Sequence, residues 1–72
     1  MELFTIHVGG MIKRELYKQG RSAAWLAKAI DLERTSVYKI YERSTIQVDL
    51  LAKISVAMNH DFFRDISRRL FY

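Results

Sequence analysis

Residues 26–40 read LAKAIDLERTSVYKI. Apolar side chains at 26, 27, 29 and 30, and again at 37, 38 and 40, keep a helical spacing, yet Asp31, Leu32 and Glu33 interrupt them with neither glycine nor proline. Two helices joined by a three- or four-residue turn can cross steeply and hold the second clear of the body. Such a corner needs a small residue where the helices touch, a turn residue that accepts left-handed backbone, and apolar anchors beneath the second helix. Counting from Ala23, the small residue is Ala27, the turn residue is Asp31, and the anchors are Leu26, Ile30, Leu32, Val37 and Ile40. Aspartate visits positive φ more readily than most non-glycine residues, so Asp31 can stand where glycine is usual.

The flanking sequence is also helical. Val8, Ile12 and Leu16 recur every four residues and predict a first helix that ends near Gly20, with Gly9 and Gly10 weakening its start. Ser22 is a suitable N-cap for a second helix with Ala23, Leu26, Ala27 and Ile30 on one face. A third runs from Glu33 or Arg34 to Glu42, with Val37, Ile40 and Tyr41 turned inward. Val48, Leu51, Ile54 and Met58 outline a fourth, broadened by Leu50 and Ala57 and ended by Asn59. Asp61 caps a fifth, reaching about residue 71, whose apolar positions are Phe62, Phe63, Ile66 and Leu70. No alternating run or hairpin turn suggests strands. The expected fold is a single all-α domain over residues 1–72, a compact bundle of about five short helices.

Composition narrows the function classes. Half of the 72 residues are hydrophobic and 28% are charged, a globular balance rather than a disordered one. Without cysteine there is no disulfide framework, zinc-thiolate site or cysteine nucleophile. MELFTIHVGG has no basic leading region, and no apolar run approaches the roughly 18 residues of a membrane span, so the cytosol, with no membrane partner, is the expected location. The net charge of +4 is concentrated in residues 13–43, where eight basic side chains oppose four acidic ones. An anionic partner suits that bias.

The stretch SAAWLAKAIDLERTSVYKIYER, residues 22–43, resembles the helix-turn-helix of the phage repressor and Cro family, also called the XRE family. IKRELYKQG is similar to that family's first helix, and VDLLAKISVAMNHDFF to its fourth and the start of its fifth, so the likeness covers roughly residues 8–63. It implies a lambda-repressor-like fold and a sequence-specific regulator of transcription that lays its third helix in the major groove of double-stranded DNA. Three departures bear on recognition. Ala23 replaces the glutamine common at the start of the second helix, Asp31 replaces the turn glycine, and Glu42-Arg43 replaces the glycine often found after the third helix. The family's binding sequences therefore do not transfer.

With Val37, Ile40 and Tyr41 inward, the outward stripe of the third helix is Thr35, Tyr38, Lys39 and Glu42, with Arg34 at its exposed end. Arg34 matches the family's principal base-reading position and can bond guanine O6 and N7 bidentately. Thr35 can donate to a base or offer its methyl to thymine, and Tyr38 can stack on sugar or a thymine methyl. Ser22, Lys28, Lys39 and Arg43 flank this edge as phosphate contacts. The ordinary alternatives are plain: Arg34 can pair with Glu33 or Glu42, and Lys28 and Lys39 can be solvated lysines. Glu33 stabilises a helix start more readily than it accepts from cytosine N4. Trp25 points away from the Leu26/Ile30 face and is expected to pack on the first or fourth helix, a partner contact being the alternative.

Arg64, Arg68 and Arg69 lie towards the end of a helix opened by Asp61 and Asp65, an order the helix dipole favours without a ligand. His7 and His60 form no HExxH pair, and no GxSxG, P-loop or GxGxxG is present, so neither enzyme activity, metal nor cofactor is expected. A second function class remains open: a protein-interaction module, adaptor or antitoxin-like, on the same fold. Leu70, Phe71 and Tyr72 place three large apolar residues at the end of the chain, which suggests a homodimer interface or a tail folded back over the first helix.

Overall fold

In the computed structural model, which describes residues 6–72, five α-helices follow one another: α1 Val8–Lys18, α2 Ala23–Ala29, α3 Arg34–Tyr41, α4 Val48–Met58 and α5 Phe62–Phe71. The protein is all-α, and no strand occurs among the described residues. Residues 1–5, which open the stretch read above for leader character, lie outside the described part. No described helix is long and apolar enough to cross a membrane.

The helix ends show how the chain turns at Asp31-Leu32-Glu33 without glycine or proline. At the close of α2, Leu32 N–H donates to Ala27 O at 2.8 Å and Asp31 N–H to Lys28 O at 3.4 Å, with Asp31 at φ 59°. This is a Schellman closure, which needs one left-handed residue just past the helix and satisfies carbonyls the helix leaves open. The same pair of bonds closes α1 around Gly20, at φ 68°, and α4 around Asn59, at φ 51°. Glycine, aspartate and asparagine thus do one job at three corners. Starts are as local: Ser22 Oγ accepts from Trp25 N–H at 3.1 Å and Asp61 Oδ1 from Arg64 N–H at 2.9 Å.

The core draws on every helix. Ile12, Leu26, Val37, Ile54 and Phe62 are completely buried, with Leu16, Ile30, Ile40, Leu51 and Met58 beside them. α3 packs chiefly on α2 and also on α1, and α2 reaches α4. Four of the five anchors predicted under α3 are buried. The fifth, Leu32, is 39% exposed because it lies past the end of α2, on the outside of the turn. Val48, expected on the core face of α4, is 71% exposed: it is the first residue of the helix, beyond the reach of the neighbouring helices. Phe63 is 38% exposed while adjacent Phe62 is fully buried, since one side of α5 faces the core and Phe63 is turned about 100° from it.

Gly9 does not weaken the start of α1; it permits it. A Cβ there would lie 2.1 Å from Ile40 O, 2.6 Å from Arg43 O and 2.8 Å from Tyr41 O. The first turn of α1 is thereby seated on the last turn of α3: Gly9 N–H donates to Arg43 O at 2.8 Å and Val8 N–H to Ser44 O at 3.1 Å. Open donors of one helix start meet carbonyls just past another helix end, and the two dipoles attract. His7 completes the cap, its Nδ1 accepting from Gly10 N–H at 2.9 Å.

Candidate nucleic-acid interface

The α2–turn–α3 unit exposes a stripe of polar groups over an apolar underside. Val37 and Ile40 bury that underside, and Tyr41 packs half-buried at its margin, whereas Arg34, Thr35, Tyr38 and Lys39 are all exposed. Eight residues make α3 about 12 Å long, comparable with the width of about 12 Å of the B-DNA major groove. The helix stops at Tyr41, one residue short of the predicted end. Glu42 and Arg43 close it with tighter bonds to Lys39 O and Ile40 O, at 3.2 and 3.0 Å, and the Arg43 and Ser44 carbonyls turn to α1.

Arg34 stands at the first position of α3, just after the N-cap Glu33. The Glu33 side chain makes no capping hydrogen bond, so its effect on the helix is that of a charge near the positive dipole end. Among the described residues the ion pairs all involve His60, and the pairing of Arg34 with Glu33 or Glu42 does not occur. The Arg34 guanidinium is exposed and outside any ion pair among the described residues. Thr35 and Tyr38 continue the same exposed side. Tyr38 meets Tyr41 edge to face, with ring centroids 5.8 Å apart, which braces it at the rim of the stripe.

Tyr41 is anchored from the other side by Lys13 of α1, whose Nζ lies 5.8 Å from the ring centroid. Burial pushes the Tyr41 hydroxyl above its ordinary range, and a charge on nearby Tyr38 would add to that shift. It remains a neutral phenol. Of the predicted phosphate contacts, Lys28 lies on α2, Lys39 in the last turn of α3 and Arg43 just beyond it, and all three are exposed and outside any ion pair among the described residues. Ser22 uses its hydroxyl oxygen as the α2 cap, leaving the hydroxyl proton available to a phosphate.

The structure thus gathers Arg34, Thr35, Tyr38 and Lys39 on one small helix, with Ser22, Lys28 and Arg43 on the segments before and after it. One residue outside that set supports it. Gly9 seats the end of α3, and no local pattern near residue 9 signals this because the contacted carbonyls lie more than 30 residues away. Arg21 stacks over Trp25 with its guanidinium 3.9 Å from the ring centroid, and Trp25 is half-buried against the core.

Leu70, Phe71 and Tyr72 are 41%, 77% and 94% exposed, so the tail does not fold back to cover the core. Among the described residues no group of three or more His, Cys, Asp or Glu is arranged to hold a metal ion. The chain matches no protein-family model, no curated protein and no solved structure.

Proposed function

We propose that this protein is a sequence-specific double-stranded DNA-binding regulator of the phage repressor and Cro type, with α3 entering the major groove. The observation that carries the reading is the pairing of opposite faces on α3: a buried Val37/Ile40 underside fixes the helix, and above it Arg34, Thr35 and Tyr38 stand exposed, with Arg34 free of any ion pair among the described residues. A helix held in this way can present its first turn to base edges without reorganising. Arg34 reads guanine, Thr35 and Tyr38 contact neighbouring bases, and Ser22, Lys28, Lys39 and Arg43 hold the two phosphate walls.

One α3 spans only a few base pairs, so the regulator acts as a homodimer on a two-fold site, joined through Leu70, Phe71 and Tyr72. Their exposure supports that role, because three adjoining apolar side chains at a helix end are stabilised by a partner surface. Arg34→Ala tests the assignment. A site selected from random duplexes should lose about 1–3 kcal/mol of affinity while nonspecific duplex is nearly unaffected. Equal weakening on both would make Arg34 a phosphate contact.

A further inference from the structure

On the side of the bundle formed by α1 and α5 lies an open concavity of about 400 Å³ that the DNA-reading proposal leaves unused. Arg14 and Lys18, one turn apart on α1, line it together with Arg68 and Arg69 from the last turn of α5. The helix dipole accounts for basic residues near each helix end taken singly. It does not account for four cations from two helices converging on one hollow, where they repel each other. Among the described residues none of the four is in an ion pair.

The acids in the same hollow are already engaged. Glu15 Oε2 accepts from Gln19 Nε2 at 3.0 Å and lies 3.6 Å from His60 Nδ1, while Asp65 Oδ2 is hydrogen-bonded to His60 Nε2 at 2.6 Å. Gln19 Nε2 also donates to Met58 O at 3.1 Å, tying the floor to the end of α4. Phe62, fully buried, holds the His60 ring edge to face at 4.6 Å. The floor is therefore fixed, and the cations at the rim are left to an outside partner. Leaving His60 aside, four cations against two carboxylates give the lining a charge of +2.

We propose that this hollow is a second, separate site that binds the phosphate dianion of a small phosphorylated molecule. A phosphate monoester carries about −1.5 to −2 at neutral pH, which complements the lining, and guanidinium groups suit its oxygens bidentately. The volume lies within the range of about 300–1,000 Å³ typical of small-molecule sites, but the polar lining favours a phosphate group over an apolar ligand. Arg14, Lys18, Arg68 and Arg69 bind the oxygens, and Glu15 and Asp65 orient His60 beneath them. The site does not depend on α3 reading DNA.

An NMR titration of the full chain with inorganic phosphate, against sodium chloride at matched ionic strength, tests it. Phosphate should give saturable shifts at Arg14, Lys18, His60, Arg68 and Arg69, and the double variant Arg14→Gln/Arg68→Gln should bind at least tenfold more weakly with an unchanged melting temperature. Arg34→Ala should bind phosphate as the wild type does. Equal shifts with chloride, or undiminished binding by the double variant, would overturn the proposal. Displacement of those same resonances by duplex DNA in the absence of any response to phosphate would also overturn it, in favour of a polynucleotide.

Discussion

Gly9→Ala is the most demanding substitution this fold predicts, because the obstacle is backbone and cannot rotate aside. The added Cβ lies 2.1 Å from Ile40 O, so α1 and the end of α3 must part by roughly 0.9 Å to reach even 3.0 Å. That movement stretches the Gly9–Arg43 and Val8–Ser44 hydrogen bonds, now 2.8 and 3.1 Å, out of range. Two bonds at about 1 kcal/mol each and repacking of about 1–3 kcal/mol oppose a helix-propensity gain of about 1 kcal/mol for alanine. The net loss is about 2–4 kcal/mol, and at roughly 4–8 °C per kcal/mol the melting temperature should fall by about 10–30 °C. Gly10→Ala is the matched control. Its Cβ meets only the His7 ring, at 3.2 Å, so alanine there should be neutral or stabilising by up to about 1 kcal/mol. Circular-dichroism melts and urea titrations of both variants decide the matter. If Gly9→Ala melts as high as Gly10→Ala, α1 does not rest on the end of α3 and the account of how α3 is held fails.

Two other perturbations address the turn and the tail. Asp31→Gly should be tolerated or stabilising by up to about 1 kcal/mol because φ 59° suits glycine, whereas β-branched Asp31→Val should cost at least about 1–2 kcal/mol; a harmless valine in a thermal melt would place the left-handed residue elsewhere. Deleting residues 70–72 should convert a sedimenting dimer into a monomer with helicity largely kept and affinity for a palindromic site reduced. A wild-type chain that stays monomeric at high micromolar concentration would remove the dimer from the proposal.

The features that were legible in the sequence are those whose causes are local. Ser22, Asp31, Asn59 and Asp61 each act on backbone within a few residues, so residue type and spacing suffice to place a cap or a left-handed corner. The outward stripe of α3 was legible for the same reason, since Val37 and Ile40 fix the helix phase and Arg34, Thr35 and Tyr38 follow from 100° per residue. Periodicity marks a face but does not say how far its neighbours extend. Val48 and Phe63 therefore read as core although nothing covers Val48 at the helix start and Phe63 lies at the edge of the buried side. Gly9 was misread as a weak point because its partners are carbonyls of α3. Of the two acids beside His60, Asp65 is five positions on and 2.6 Å away, whereas Glu15 lies on α1, 45 positions earlier, and only folding brings it within 3.6 Å.

The central claim, that α3 and its flanks engage duplex DNA, is tested most directly by the salt dependence of binding, followed by fluorescence titration of labelled duplex. Lys28, Lys39 and Arg43 each neutralise one phosphate in this account, so the logarithm of the association constant should fall with the logarithm of salt at a slope of about −2.7 per subunit, or about −5 for a dimer. Between 50 and 200 mM salt that is roughly a 40-fold loss of affinity per subunit. The triple variant Lys28→Gln/Lys39→Gln/Arg43→Gln should flatten the slope by about 2.7 per subunit, to near zero. Binding that is absent at low salt, or whose slope is near zero in the wild type, would contradict the DNA reading and leave the exposed stripe of α3 to a protein partner.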